Sequence, residues 1–291
     1  MIEYRPIERA DGISPEAFQR DYLAHNRPVV LTGIAVDGGS RWTPERWADE
    51  YGDVLVEAES DDEIFFMRRK SSIPLRRLVE MVQRGSLELR FRDFDFLRAL
   101  PALEAEFERT YRAARYLGHV RTRGTYMAPA GNLSAFHHDF ADNNLNVQIF
   151  GRKRFWLAPP AQYELLEPLD FGFSGVNPVD PDVARFPRFS ELAAHVVTCE
   201  LRAGEALYIP RYWWHLVRAE EPSINVVTIT SVGGLPPWRA TAGIPSAARL
   251  AIVSQTRAWG ALAASALRAY RRYRPIPPLV AGGARRKDGP P

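Results

Sequence analysis

The sequence predicts a mainly β protein with flanking helices, organised around one small jelly-roll barrel. Three observations point there. From Gly118 onward, short apolar runs such as VRTRGTYM, HVVTCEL and SINVVTITSV are separated by turn residues, the pattern of β-sandwiches and barrels. Before Gly118, strand and helix signals alternate and none carries a motif of its own. After Pro236-Pro237 the chain turns alanine- and arginine-rich. These shifts divide the chain into an N-terminal α/β extension packing on the barrel (1–117), a barrel (118–235) and a C-terminal helix with a basic, disordered tail (236–291).

Taken in order, Ser14-Pro15-Glu16 predicts a helix start, with serine as N-cap and proline in the first turn, placing Phe18, Tyr22 and Leu23 on one side. Pro28 to Leu31 reads as a buried strand. Thr43-Pro44-Glu45 opens a second helix, with Trp47 and Tyr51 spaced for one core-facing side. Strands follow at Val54 to Glu57 and in IFFMRR. PLRRLVEMVQRG then predicts a helix with Leu75, Leu78, Val79 and Val82 inward and Gly85 past its end. LELRFRDF alternates like a strand, and PALEAEFERTYRAARY is a further helix. This half is expected to lengthen the sheets and wall one side of a pocket. Residues 159–195 form a long connection with a short helix near Tyr163; a surface excursion and a shaped substrate entrance fit it equally. Ser246 to Tyr270 is helix-periodic, and residues beyond Arg271 have a disordered composition.

A length of 291 residues with 46% hydrophobic and 25% charged residues suits one folded domain with a substantial core. The lone Cys199 excludes an internal disulfide and reads as a small buried strand residue. MIEYRPIERADG is polar and lacks the basic head and apolar run of a signal peptide, and no long apolar run marks a membrane span, so a protein without a signal peptide, in the cytoplasm, is expected. The net charge of +3 is uneven: eight arginines and Lys287 against Asp288 give +8 for residues 249–291, leaving −5 for the first 248. The basic character belongs to the tail, so the barrel gives no electrostatic case for nucleic-acid binding.

Residues 131–157, GNLSAFHHDFADNNLNVQIFGRKRFWL, hold most of the chemistry. His137 and Asp139 stand two apart, so on an extended segment they leave the same face while His138 turns away. Two histidines and a carboxylate make the facial triad that holds non-haem iron and leaves the opposite positions open. The best-placed third ligand is His215, in GEALYIPRYWWHLV; His25, His119 and His195 lack such neighbours, and His119 reads better as solvent-facing than as a pocket residue. Lys153 shares a strand face with Phe155 and Leu157, where an inward ammonium is costly without an anion. Arg154 reads as an ordinary polar residue beside the Gly151 hairpin. Asn225, in phase with Val227 and Ile229 on a β-branched strand, is a buried amide in need of a partner. Trp213 and Trp214 either clamp substrate or pack to fix His215.

Besides the His137-x-Asp139 pair, the stretches Gly131-Asn132-x-Ser134, GRKRFWLAPP, GEALYIPRYWWH and SINVVTI fall into a known order. With them the sequence resembles the JmjC and cupin-like (cupin_8) Fe(II)/2-oxoglutarate oxygenases, in particular the branch of protein hydroxylases that includes the asparaginyl hydroxylase of hypoxia-inducible factor. The resemblance spans roughly residues 20–235. It implies a double-stranded β-helix, Fe(2+) on His137, Asp139 and His215, and 2-oxoglutarate and O2 as cosubstrates. It places Lys153 and Ser134 at the distal carboxylate of 2-oxoglutarate and Asn144 and Asn225 near its iron-bound end. Asn143 holds the family's usual spacing after the aspartate, so either Asn143 or Asn144 fits. Several relatives carry a cosubstrate-binding tyrosine on the strand matching LELRFRD; this chain has Phe91 there, flanked by Arg90 and Arg92. Trp213 and Tyr126 are candidates for the substrate pocket.

The implied activity is hydroxylation of a C–H bond, first of all on a protein or peptide side chain. The same chemistry on a small metabolite or biosynthetic intermediate, or on tRNA, is the alternative. A non-catalytic cupin-like binding module is the rival from another class. Related hydroxylases dimerise through helices beyond the barrel; the helix at 246–270 either does the same or docks on its own barrel.

Overall fold

The computed structural model describes residues 2–35, 42–60, 70–86, 89–93, 96–118, 120–139, 142–169 and 172–231. The expectations for IFFMRR, His119, the helix at 246–270 with its dimer role, and the basic tail lie outside those residues.

In chain order the described elements are β1 (Arg5–Pro6), β2 (Arg9–Asp11), α1 (Pro15–Phe18), which widens into a π-helical turn over Gln19–Leu23, β3 (Val29–Thr32), α2 (Pro44–Tyr51), β4 (Leu55–Ser60), β5 (Lys70–Pro74), α3 (Leu75–Gln83), β6 (Leu89–Asp93), α4 (Phe96–Ala99), α5 (Pro101–Tyr111) and α6 (Ala114–Leu117). Then come β7 (Thr122–Ala128), β8 (Phe136–His138), β9 (Asp142–Phe150), β10 (Arg152–Ala158), a 3-10 segment (Pro160–Leu166), β11 (Pro168–Leu169), β12 (Phe173–Ser174), α7 (Phe189–Ala193), β13 (Val197–Arg202), β14 (Ala206–Ile209), β15 (Trp214–Ala219) and β16 (Ser223–Ser231). The helix starts follow their caps. The Ser14 hydroxyl accepts from Ala17 N–H at 3.2 Å and Thr43 from Arg46 N–H at 3.2 Å, and each is followed by a proline whose missing N–H costs nothing there.

The strands form two sheets, ordered β1-β13-β10-β15-β8-β12-β11 and β2-β3-β14-β9-β16-β7-β6-β4-β5. Residues of both sheets pack against each other in the interior, Phe155, Leu157 and Leu201 from one against Val30, Leu207 and Ile209 from the other, giving a jelly-roll sandwich. The N-terminal strands enter both sheets: β1 pairs with β13, β3 with β14, and β6 with β7. Helices α1 to α6 cover the outer face of the larger sheet, where Leu31, Leu145, Val147, Tyr208 and Val226 meet Phe18, Trp47, Leu78, Phe107 and Tyr111. The outer face of the smaller sheet, with Phe136, Trp156, Trp214 and Leu216, is covered by Leu166, Val176, Phe186, Phe189 and Leu192 of the long connection. Gly151 turns the β9–β10 hairpin at φ +68°; a Cβ there would lie 2.1 Å from the Pro222 carbonyl oxygen, so no larger residue fits. Among the described residues no helix is long and apolar enough to cross a membrane.

Candidate metal centre

Two strands and one loop residue build the centre. β15 pairs with β8 in the register that sets His215 directly opposite His137. Cross-strand partners share a face, so both imidazoles enter the interior together, with ring centroids 4.3 Å apart. Asp139 follows β8 by one residue and keeps the phase of His137. Its carboxylate oxygens stand 3.9 Å from His137 Nε2 and 3.5 Å from His215 Nε2, and one donor atom from each of the three residues falls within 4.8 Å of the others. This is the spacing of ligands around one small cation.

The hydrogen bonds leave the right lone pairs bare. His137 Nδ1 lies 2.8 Å from the Ala135 carbonyl and His215 Nδ1 lies 3.1 Å from the Trp213 carbonyl. A carbonyl only accepts, so each Nδ1 carries the proton and each Nε2 offers a lone pair toward Asp139, as a metal-binding histidine requires. Burial, with the facing His215 next, pushes His137 down to about 4 against the opposing pull of Asp139, so the ring is neutral at physiological pH. Burial alone would raise Asp139, but the facing imidazoles and the Asn144 amide outweigh it and hold the carboxyl below its usual range. Side-chain exposure is 16% and 6% for the two histidines but 39% for Asp139, so the open side of the triad lies next to the carboxylate. The donor set and the bare Nε2 atoms fit ferrous iron.

Asn144 donates its amide to Asp139 Oδ2 and is 3% exposed. Asn143 faces the other way, its Oδ1 accepting from Tyr208 Oη at 2.9 Å and Arg211 N–H at 3.2 Å. Of the two, Asn144 is the one that stands beside the triad. Deeper in, Lys153 is 6% exposed and donates to Asn225 Oδ1, while Asn225 Nδ2 donates to Asn146 Oδ1 at 3.3 Å. Lys153 Nζ also lies 6.0 Å above the Tyr126 ring. The partner that Asn225 requires is therefore Lys153, with Asn146 behind it. Ser134 is more committed than the sequence suggests: its hydroxyl donates to the Ala135 carbonyl at 3.1 Å and accepts from Val217 N–H at 2.9 Å. It has acceptor capacity left for a ligand, and donates only by releasing Ala135.

Other residues fall elsewhere. Trp213 packs with the apolar interior and donates its indole N–H to Asn26 O at 2.9 Å; Trp214 turns outward against Phe136 and His138. Both anchor the start of β15, the packing role. Phe91, 1% exposed, turns its ring away from the interior onto Phe96, at 5.3 Å between centroids. The strand thus presents Arg92, not Phe91, to the pocket. His25 and His195 are exposed, and buried Cys199 is pushed up to about 12 by desolvation.

Sequence reasoning missed Asn146 and Phe173. The first had a signal, since Asn144, Asn146 and Gln148 alternate with Leu145, Val147 and Ile149, a polar stripe facing a lumen. Phe173 had none. It reaches the site because β12 pairs with β8, putting its ring parallel to His137 at 5.7 Å and 15°. The long connection thus walls the metal centre. Gly172 makes that approach, accepting His138 N–H at 3.1 Å; a Cβ there would fall 2.7 Å from His138 Nε2.

Comparison with known proteins agrees with this geometry. The cupin-like domain model matches residues 15–229. Human tRNA wybutosine-synthesizing protein 5 is 25% identical over 255 residues, 77% of each chain. The chicken 2-oxoglutarate and iron-dependent oxygenase JMJD4 is 26% identical over 249 residues, 76% of this chain and 58% of that one. Rat HSPB1-associated protein 1 is 41% identical over 98 residues, 31% of this chain and a smaller share, 20%, of the relative. The relatives and the His-Asp-His cluster together support the iron and 2-oxoglutarate oxygenase class, with ferrous iron, 2-oxoglutarate and dioxygen as the implied cofactors. By fold, site geometry and a match over most of its length, the chain belongs to the cupin-like domain family.

Proposed function

We propose that the protein is an Fe(II)- and 2-oxoglutarate-dependent dioxygenase that hydroxylates a C–H bond on a protein or peptide side chain. The observation that carries the reading is the meeting of His137, Asp139 and His215, Nε2 lone pairs bare, above an interior lysine on the same face of the fold. His137, Asp139 and His215 would hold the iron, and Lys153 the distal carboxylate of 2-oxoglutarate. When bound, iron and cosubstrate supply the oxidising power for an unactivated C–H bond.

The chain's own residues do the rest. The Ala135 and Trp213 carbonyls hold the Nδ1 protons and so fix both rings. Asn144 steadies the Asp139 carboxylate. Asn225 and Asn146 keep the Lys153 ammonium pointed at one spot, so that a dicarboxylate meets a preorganised cation instead of a mobile one. Phe173 and the apolar interior keep water from the flanks of the triad.

The test is succinate formation from 2-oxoglutarate by iron-loaded protein supplied with cell extract, followed by mass spectrometry for singly oxygenated products. Turnover lost in Asp139→Ala and an oxygenated peptide in the extract support the reading. No iron uptake and no succinate would favour a non-catalytic binding module. A second reading, the same chemistry on a tRNA base, is favoured by the match to the tRNA wybutosine-synthesizing protein, which spans 77% of both chains. An oxygenated nucleoside in digested RNA would decide for it.

A further inference from the structure

A buried amide between the sheets has a donor without an acceptor, and the hydrogen bonds around it fix which atom that is. Lys153 can only donate, so the Asn225 atom it meets is Oδ1, and Asn225 Nδ2 points on to Asn146 at 3.3 Å. An amide nitrogen donates, so the Asn146 atom it reaches is Oδ1. Asn146 Nδ2 is left with two protons to give. Both amide orientations thus follow from the charge on Lys153, which leaves no choice between oxygen and nitrogen at either residue. Among the described residues nothing accepts from Asn146 Nδ2, and the residues opposite it on the neighbouring strands, Leu207 and Val227, are apolar. Asn146 is buried, where an amide donor requires a partner.

The place of that nitrogen points to the partner. Leu145, Val147 and Ile149 face the helices, so Asn144 and Asn146 share the inner face of β9. Two residues advance about 7 Å along a strand. Asn144 therefore stands at the triad, where it donates to Asp139, and Asn146 stands one step further along β9, in the amide relay from Lys153. A ligand acceptor arriving there meets the Lys153 ammonium and the Asn146 N–H together, the second polarised by the first through Asn225. We propose that Asn146 Nδ2 is a second donor to the distal carboxylate of 2-oxoglutarate, Lys153 taking one oxygen and Asn146 the other, so that Asn146 helps make the slot specific for a diacid. The proposal rests on the oxygenase reading. A carboxylate suits the pair because both of its oxygens accept and neither donates; a terminus without acceptors leaves both donors buried and unpaired.

The experiment uses full-length protein loaded with Zn(II), which binds without turnover, and two ligands of equal chain length: 2-oxoglutarate and 2-oxopentanoate, which ends in a methyl group. The first readout is the pair of side-chain amide protons of Asn146 in the nitrogen-correlated NMR spectrum, assigned by their disappearance in Asn146→Leu or Asn146→Asp. With 2-oxoglutarate one of the two moves downfield and exchanges more slowly with water; with 2-oxopentanoate neither does. The second readout is calorimetry. The preference for 2-oxoglutarate over 2-oxopentanoate drops at least about tenfold in Asn146→Leu, the loss of one hydrogen bond to a charged group. Asn146→Asp, which still accepts from Asn225 but offers no donor, loses at least as much. Asn146 protons that stay in place when 2-oxoglutarate binds overturn the proposal and leave Asn146 as an anchor for Asn225 only. So does wild-type preference in either variant. Should Asn146→Leu fail to fold, the wild-type spectrum and Asn146→Asp still decide. If wild-type protein binds no 2-oxoglutarate at all, the oxygenase reading itself falls and the second donor with it.

Discussion

The two halves of the jelly-roll interior are built from neighbouring strands and have opposite character. Toward β13, β14 and β3 the space between the sheets is dry, filled by Phe155, Leu157, Leu201, Leu207 and Val30. Toward β8, β15, β16 and β7 it is polar, with the triad, Asn144, Asn146, Asn225 and Lys153. Strand β10 takes part in both, because Lys153 and Phe155 lie two apart on the same face. The difference teaches that one half supplies the stability that lets the other hold buried polar groups poorly suited to a core. Perturbing each half should therefore change different observables.

The sharpest break is Asp139→Ala, which removes the only anionic ligand of the triad. Metal titration should show affinity for Fe(II) or Co(II) reduced by more than about 100-fold, with the thermal midpoint of the metal-free chain little changed. In the dry half, Leu207→Ala should do the reverse. Denaturant unfolding should show a loss of about 2–5 kcal/mol while metal affinity per folded molecule holds. Lys153→Met divides the halves at their border. Losing one charge-assisted contact should weaken 2-oxoglutarate binding by roughly 10- to 100-fold in calorimetry, whereas metal-free stability should hold or rise because a buried ammonium has gone.

A different effect follows from protonation. His137 is depressed to about 4 and His138 to about 3, both chiefly by burial, so each is neutral in the fold and charged in the unfolded chain below its ordinary value near 6.5. The unfolded state then binds more protons, and metal-free stability should fall as pH drops from 6.5 toward those values, by up to about 1.4 kcal/mol per pH unit for each ring. Asp139, held low, adds to the loss at the acid end. A urea midpoint independent of pH between 4 and 6.5 would contradict this. Smallest is Asn143→Ala, which should cost about 1 kcal/mol through the Tyr208 bond and leave metal affinity alone, while Asn144→Ala lowers metal affinity.

How much of this could be read from the sequence depended on how local each signal was. Strand parity put His137 and Asp139 on one face, and the phase of Lys153 among Phe155 and Leu157 marked it as interior. His215 needed the barrel topology as well, because only the β8–β15 register brings it opposite His137. The choice between Asn143 and Asn144 hinged on the backbone path after Asp139, which spacing does not determine; the answer lies in Tyr208, sixty-five positions away. Phe91 drew notice through the resemblance, yet a strand has two faces, and burial against Phe96 gave the inner one to Arg92. Phe173 was illegible for a plain reason. Its role comes from β12, inside the long connection, pairing back with β8 on the other side of β9 and β10 in the chain, and no local pattern announces that partner.

In this site one ligand, 2-oxoglutarate, is expected to span the triad and Lys153. Calorimetric titration of 2-oxoglutarate into protein loaded with Zn(II), which binds without turnover, tests it directly. Binding should require metal, be lost in Asp139→Ala and be strongly weakened in Lys153→Met. Equal binding with and without metal, or a Lys153→Met variant that binds as wild type does, would contradict it.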